Sequence, residues 1–284
     1  MDIDIDANTE FLVRFKDFDS FKHLIAFMAN IISGDDVYMV FTKNNILLSY
    51  RLVDIIDDKT FNLEIFCKLD QYFLTKHYYR SNQKMFIVGL DIKLFNKVIK
   101  SCKKNHPYFQ IERRKDGVYT SKSKKDRKFI STVSIANYKH YEELKYKTSL
   151  LKPFCVVTAK DFCDSCLEFQ GLSSPIIEIF ICSRGFVIVC PNFSMDGNII
   201  TADIQKLGEV PKEYQSDVKI RCIVSKSNLV KLSKLEKTCP KGNVRIYVER
   251  DENGKLMPLK ISHNIGIFGT INSYLEIEEV VEKH

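Results

Sequence analysis

The chain has 284 residues, 45% of them hydrophobic, enough for one large globular domain or two of about half that size. Its 43 basic and 36 acidic residues leave a net charge of +7, so placement rather than total charge must identify any binding surface for an anion. Nine cysteines form an odd set, the start MDIDIDANTE is acidic where a signal peptide is basic, and no apolar run nears the roughly 18 residues of a membrane helix. We therefore expect a soluble intracellular protein with free thiols, neither secreted nor membrane-bound.

Residues 11–16, FLVRFK, alternate as a half-buried strand. The spacing then predicts a helix with Phe21, Leu24, Ile25, Met28, Ile31 and Ile32 on one face and Lys22, His23 and Asn30 on the other. After the turn at Ser33-Gly34-Asp35-Asp36, three strands follow, VYMVFT, ILLSYRLV and FNLEIFCKL, parted by Asn44-Asn45 and Asp57-Asp58-Lys59.

The same order starts again at KMFIVGL. Its helix, residues 91–105, is capped by Asp91 and closed by Pro107. It sets Ile92, Phe95, Val98, Ile99 and Cys102 against a stripe of Lys93, Lys97, Lys100 and Lys104. A meander follows, YFQIERRKDGVYTS and RKFISTVSI, turning at Asp116-Gly117.

A third copy begins at Phe154 with FCVVTA, a helix DFCDSCLEFQ ended by Gly171, and the strands IIEIFIC, FVIVCP and NIITADIQ. The fourth runs through VKIRCIV, a helix SNLVKLSKLEKTC, NVRIYVER, the Asn253-Gly254 turn, PLKISHNI and a last strand SYLEIEEV. Four units starting near residues 11, 85, 154 and 218 recur roughly every 65 to 75 residues. A charged, tyrosine-rich stretch ending at Pro153 divides them, which predicts domains at 1–137 and 154–284 with a linker at 138–153. The fold class is α+β: two similar domains of antiparallel sheets with two helices each.

This pattern resembles the sliding clamps of the proliferating cell nuclear antigen family, most specifically at FCVVTAKDF, around IIEIFICSRGFVIV and along MPLKISHNIGIFGTINSYLEI. The likeness spans nearly the whole chain, and the composition and long basic hairpin at 113–128 suit a viral member. It implies the DNA clamp fold and a non-enzymatic homotrimer around double-stranded DNA, a processivity factor for a DNA polymerase that also holds other clamp-binding proteins. The place of action would be the nucleus or a cytoplasmic viral replication site. Two departures stand out. The linker carries Lys139, Lys145, Lys147 and Lys152 where cellular members are more acidic, and the third helix shows Asp161, Asp164 and Glu168 where the family places basic residues.

The fourth helix repeats the division of the second, with Lys226, Lys231, Lys234 and Lys237 opposite Leu229, Leu232, Leu235 and Cys239, and Lys22 adds a weaker contribution from the first. A lysine-rich face is usually only solvated, but its recurrence on three of four repeated helices favours phosphate contacts, which hold DNA without reading its sequence. In a clamp these helices line the central hole. The basic run at 113–115 and 121–128 reads as a solvated hairpin.

Subunit contacts implied by the resemblance pair an edge strand at Tyr108, Phe109 and Ile111 with another at Ile199, Ile200 and Ala202. The implied partner-peptide pocket lies between the linker and the C-terminal strand, at Leu150, Leu151, Tyr274, Leu275 and Ile277 with Leu52 beneath. Cys163 and Cys166 form a C-x-x-C without a second pair and read as core cysteines, so no metal or cofactor is expected. His106, His140 and His263 stand apart from any nucleophile motif, and no catalytic residue is expected. Two other readings stay open, an open-faced DNA binder that forms no ring and, more remotely, an enzyme using the cysteines.

Overall fold

The structure, a computed structural model, describes residues 9–15, 18–32, 37–70, 74–79, 85–100, 109–114, 117–124, 127–133, 152–182, 185–189, 198–201, 218–239, 241–266 and 269–280. Contacts divide the chain into two compact units. The first holds Met1–Tyr50, Phe66–Lys147 and Ile265–Thr270, and the second Arg51–Ile65, Thr148–Asn264 and Ile271–His284. The division is not linear in sequence, because a hairpin arm from the N-terminal half, residues 51–65, makes its contacts with the C-terminal unit.

In the first unit the order is β1 (Thr9–Phe15), α1 (Phe18–Ile31), β2 (Val37–Thr42), β3 (Asn45–Ile56), β4 (Lys59–Asp70), β5 (Leu74–Tyr79) and β6 (Met85–Leu90). Then come α2 (Ile92–Lys100), β7 (Phe109–Arg114), β8 (Gly117–Lys124) and β9 (Arg127–Val133). One antiparallel sheet runs β5-β1-β7-β8-β9, and a second contains β6, β2 and the basal halves of β3 and β4. The rings of Phe11 on β1 and Phe41 on β2 meet at 4.2 Å, so the two sheets share a core. Helices α1 and α2 add their apolar faces, with Phe21 and Phe95 in edge contact at 6.4 Å and Leu24, Ile25, Met28, Ile92 and Ile99 buried.

In the second unit β10 (Cys155–Thr158) leads into α3 (Ala159–Glu168), which tightens into a 3-10 turn at Phe169–Gly171, so the helical run ends at Gly171 as the sequence predicts. Strands β11 (Ile176–Cys182), β12 (Gly185–Val189), β13 (Asn198–Thr201) and β14 (Val218–Ser225) follow, then α4 (Lys226–Leu232) and a 3-10 helix at Leu235–Thr238. The chain ends in β15 (Asn243–Tyr247), β16 (Leu259–Ile265), β17 (Gly269–Leu275) and β18 (Glu278–Glu279). One sheet is ordered β13-β12-β11-β14-β18, and in the other the β3–β4 arm continues a run of β10, β15, β16 and β17. Phe162, Ile179, Ile188, Leu229, Ile246, Leu259, Ile261 and Leu275 converge from both sheets and both helices on one small apolar cavity.

The α+β class and the antiparallel sheets are as the sequence predicts, and among the described residues each unit shows two α-helices. Three elements differ from the sequence reading. The fourth helix is not continuous: after Leu232 the backbone turns to i→i−3 bonding, Ser233 N–H to Val230 O at 3.1 Å and Lys237 N–H to Lys234 O at 3.2 Å. What makes this break tolerable is tertiary. The Cys163 thiol of α3 accepts from the Glu236 N–H at 3.3 Å, supplying a partner that a continuous helix would have provided itself. Next, the final strand is two: β17 starts earlier, and SYLEIEEV is interrupted so that Glu278–Glu279 crosses to β14. Finally, β5 is a strand the sequence reading did not include.

Candidate nucleic-acid interface

Helix α2 starts where the sequence predicts. The Asp91 carboxylate accepts from the Leu94 N–H at 2.9 Å, satisfying one of the donors that a helix N-terminus leaves open. Ile92, Phe95, Asn96 and Ile99 are buried while Lys93, Lys97 and Lys100 are exposed together with Leu94, and Val98 is half-buried, so the lysines share the open face but not with polar residues alone. Lys104 lies outside the described residues. On α1, Lys22 is half-buried and 3.9 Å from Asp19, one turn back, which tempers its charge.

The α4 lysines are less alike than their spacing suggests. Ser225 caps the helix, its hydroxyl accepting from the Asn228 N–H at 3.2 Å. The Lys226 ammonium donates to the Leu172 carbonyl, a bond that ties the side chain to its own unit. Lys231 is half-buried, and desolvation lowers its pKa against the pull of nearby Asp54. Lys234 is half-buried and Lys237 exposed, and because side chains three apart eclipse in 3-10 geometry, these two share one face. Helix α3 differs. Thr158 caps it, accepting from the Asp161 N–H at 3.1 Å, and Asp161 and Glu168 stay exposed, an acidic face unsuited to phosphate.

The thiols are built into the core. Burial pushes Cys163 up to about 11 and Cys166 well above its usual value, so neither is poised as a thiolate nucleophile. Cys155 is likewise raised to about 11 and Cys222 to about 12. Among the described residues no group of three or more His, Cys, Asp or Glu side chains is arranged to hold a metal. His263 is fully buried, while His106 and His140 lie outside the described residues.

The residues implied at subunit contacts are placed unequally. Among the described strands β13, with Ile199 and Ile200, is the last of its sheet. Strand β7 is not an edge, and this corrects the expectation for Phe109 and Ile111: β7 pairs with β8 on one side and with β1 on the other, Val13 lying opposite Ile111. Two further strands lie beyond it, and among the described strands β9 is the last of that sheet. Tyr108 and Ala202 lie outside the described residues.

Of the pocket residues, Leu52 and Tyr274 are buried, and burial together with Glu249 and Glu64 pushes the Tyr274 phenol up to about 12. Leu275 faces the internal cavity of the second unit, which makes it core. Ile277 is half-buried, and Leu150 and Leu151 lie outside the described residues.

No family model and no curated protein matches this sequence. Solved structures do. The crystal structure of PCNA from Thermococcus kodakaraensis superposes with a TM-score of 0.68 at 14% identity, over 94% of this chain and 100% of that one. This chain has the PCNA-like DNA clamp fold. Proliferating cellular nuclear antigen from Entamoeba histolytica gives 0.67 at 11% identity, covering 95% of this chain and 99% of its own. A chain of the PCNA2–PCNA3 complex from Sulfolobus tokodaii gives 0.61 at 14%, covering 94% and 99%. At such identities the clamp fold is what is shared, and function has to be argued from this chain's own side chains.

Proposed function

We propose that this chain is a DNA sliding clamp: copies join into a homotrimeric ring that encircles duplex DNA and keeps a replicative or repair polymerase on it, inside the nucleus or at a cytoplasmic viral replication site. The observation that carries the reading is the face of α2, where Lys93, Lys97 and Lys100 are all exposed opposite buried Ile92, Phe95 and Ile99 on a clamp fold. Long flexible ammonium side chains meet phosphates without demanding a base sequence, which lets the protein slide.

Lys231, Lys234 and Lys237 extend the contact, and Lys22 and Lys226 contribute less because each already has a partner in its own chain. The ring closes by pairing β9 of one copy with β13 of the next, each the last described strand of its sheet. Partner peptides dock between the linker and the C-terminal strand near Tyr274 and Ile277. The reaction the protein supports is its partner's.

Retention on DNA of different topology tests this directly. A ring remains on closed circular duplex and slides off a linear one with free ends, so retention on the circle should far exceed that on the linear form. Equal retention on both replaces the ring with an open-faced binder of the same fold.

A further inference from the structure

The arm formed by β3 and β4 carries the two most exposed large hydrophobic side chains among the described residues, Val53 at 58% and Ile55 at 68%. They alternate with buried Leu52 and half-buried Asp54 and Ile56, so Arg51, Val53 and Ile55 share the outer face. The backbone here is a border too. Strand β2 pairs with β3 from Phe41 opposite Ile46 to Tyr38 opposite Ser49 and begins at Val37, so no described strand flanks Leu52–Ile56 on the side away from β4.

The arm is nevertheless held firmly. Its Asp54 accepts from the Ser225 hydroxyl, its Phe61 carbonyl accepts from Asn228 Nδ2 at 3.1 Å, and Lys59 donates to both Glu278 oxygens at 2.7 and 2.9 Å. A firm, apolar, open strand is a template for another strand.

The border is complementary to itself. In an antiparallel pair about a twofold axis at Asp54, Val53 of one copy faces Ile55 of the other, Leu52 faces Ile56, and Arg51 comes beside the Asp57-Asp58 turn. Other registers lose this match: centring on Ile55 brings Arg51 beside Lys59, and centring on Val53 sets Arg51 against Ile55. The Asp54 carboxylates, which face one another in the favoured register, are each engaged by Ser225 and lie near Lys231 of their own chain.

We propose that this arm is an interaction surface for a second copy of the chain, the two Leu52–Ile56 borders pairing antiparallel about Asp54. The contact is isologous and uses neither β9 nor β13, so it joins two chains, or two rings, in a way separate from ring closure. A pairing this short buries less than the roughly 1,000 Å² of a stable interface, so its signature is a mass that doubles with rising concentration.

Sedimentation equilibrium of the full chain, with Val53→Glu, Ile55→Lys and the double variant, tests the proposal. Both positions are exposed, so unchanged circular dichroism and melting temperature are expected in every variant. Each single variant puts a charge against an apolar side chain twice and should weaken the doubling by about tenfold. In the double variant Glu faces Lys across the axis twice, and doubling should return, as it should when the two single variants are mixed. The comparison is with whatever assembly the single variants form, one chain or a ring, so a failure of the ring reading leaves it intact. A wild-type mass equal to that of the single variants at all concentrations overturns the proposal, and this is also the result expected of an arm that takes only another protein's peptide. A double variant that behaves like the singles overturns it as well.

Discussion

Gly242 shows how closely the second unit is packed around a single imidazole. A Cβ there would stand 2.8 Å from His263 Cε1 and 3.0 Å from both the carbonyl oxygen and the sulfur of Cys239. Gly242→Ala should therefore lower stability by roughly 1 to 3 kcal/mol in urea unfolding, the cost of overpacking a site that cannot yield. His263 itself is 0% exposed, with Nδ1 3.1 Å from the Asn243 carbonyl, and burial lowers its pKa, helped by nearby Arg245 and opposed by that hydrogen bond. Because the unfolded chain holds the proton more tightly than the folded one, its contribution to stability is present above the ordinary histidine value and is lost as pH falls below it. The melting temperature should drop as pH goes from 7.5 to below 6, and His263→Gln should show a smaller pH slope whatever its absolute stability. An identical slope in the variant would assign the pH dependence elsewhere. The alternation in PLKISHNI puts His263 in phase with Leu259, Ile261 and Ile265, so its inward face was legible, whereas its close approach to Gly242 and Asn243 was not, because those lie on another strand.

Helix α2 was legible as an element because its period is a property of the local backbone: every third or fourth position is apolar and the lysines fill the opposite face. Changing Lys97 and Lys100 to Ala should weaken DNA binding about equally for all sequences and lower the salt slope by roughly 0.9 per lost phosphate contact. Stability should hold, since exposed lysines contribute little and Ala favours helix. A matched pair at Lys124 and Lys125 is the control, and equal loss there would move the DNA contact to the basic hairpin. Helix α4 was legible only in part. Its leucines are buried as expected, Leu229, Leu232 and Leu235 at 1%, 0% and 0%. Its break at Ser233 and the internal partner of Lys226 depend on α3 and on the Leu172 carbonyl, neither of which its own spacing reveals. The contrast gives another expectation: Lys226→Ala should cost less DNA affinity than Lys97→Ala, checked by titrating both at one salt concentration.

At the scale of the molecule, sheet borders decide what can assemble. If β9 and β13 of neighbouring copies close the proposed ring, a proline in either border, Ile130→Pro or Ile200→Pro, removes a backbone donor from that ladder. The expected outcome is a light-scattering mass of one chain at concentrations too low for the arm to pair, together with loss of the preference for circular DNA. A variant of single-chain mass that still prefers circles would show that encirclement does not depend on these borders. The expectation that β7 was a border came from its position after α2, and it failed because strand order is set by partners far away. Val13, which flanks Ile111, lies roughly a hundred residues earlier in the chain.

By itself the sequence determined the features that depend on local periodicity. It specified alternating strands, amphipathic helices with their lysine faces, the turn positions and the fourfold recurrence, and through these the α+β class and the likeness to clamps. It also wrote the alternation that sets Arg51, Val53 and Ile55 on one face. Tertiary structure alone decided which strands have neighbours on both sides, that Leu275 fills a core rather than a pocket, and that the 51–65 arm packs with the C-terminal unit. The physical reason is range. A helix or strand declares its faces through residues two to four positions apart, whereas a sheet border, a core contact or a hydrogen bond to a distant carbonyl exists only once remote segments have come together.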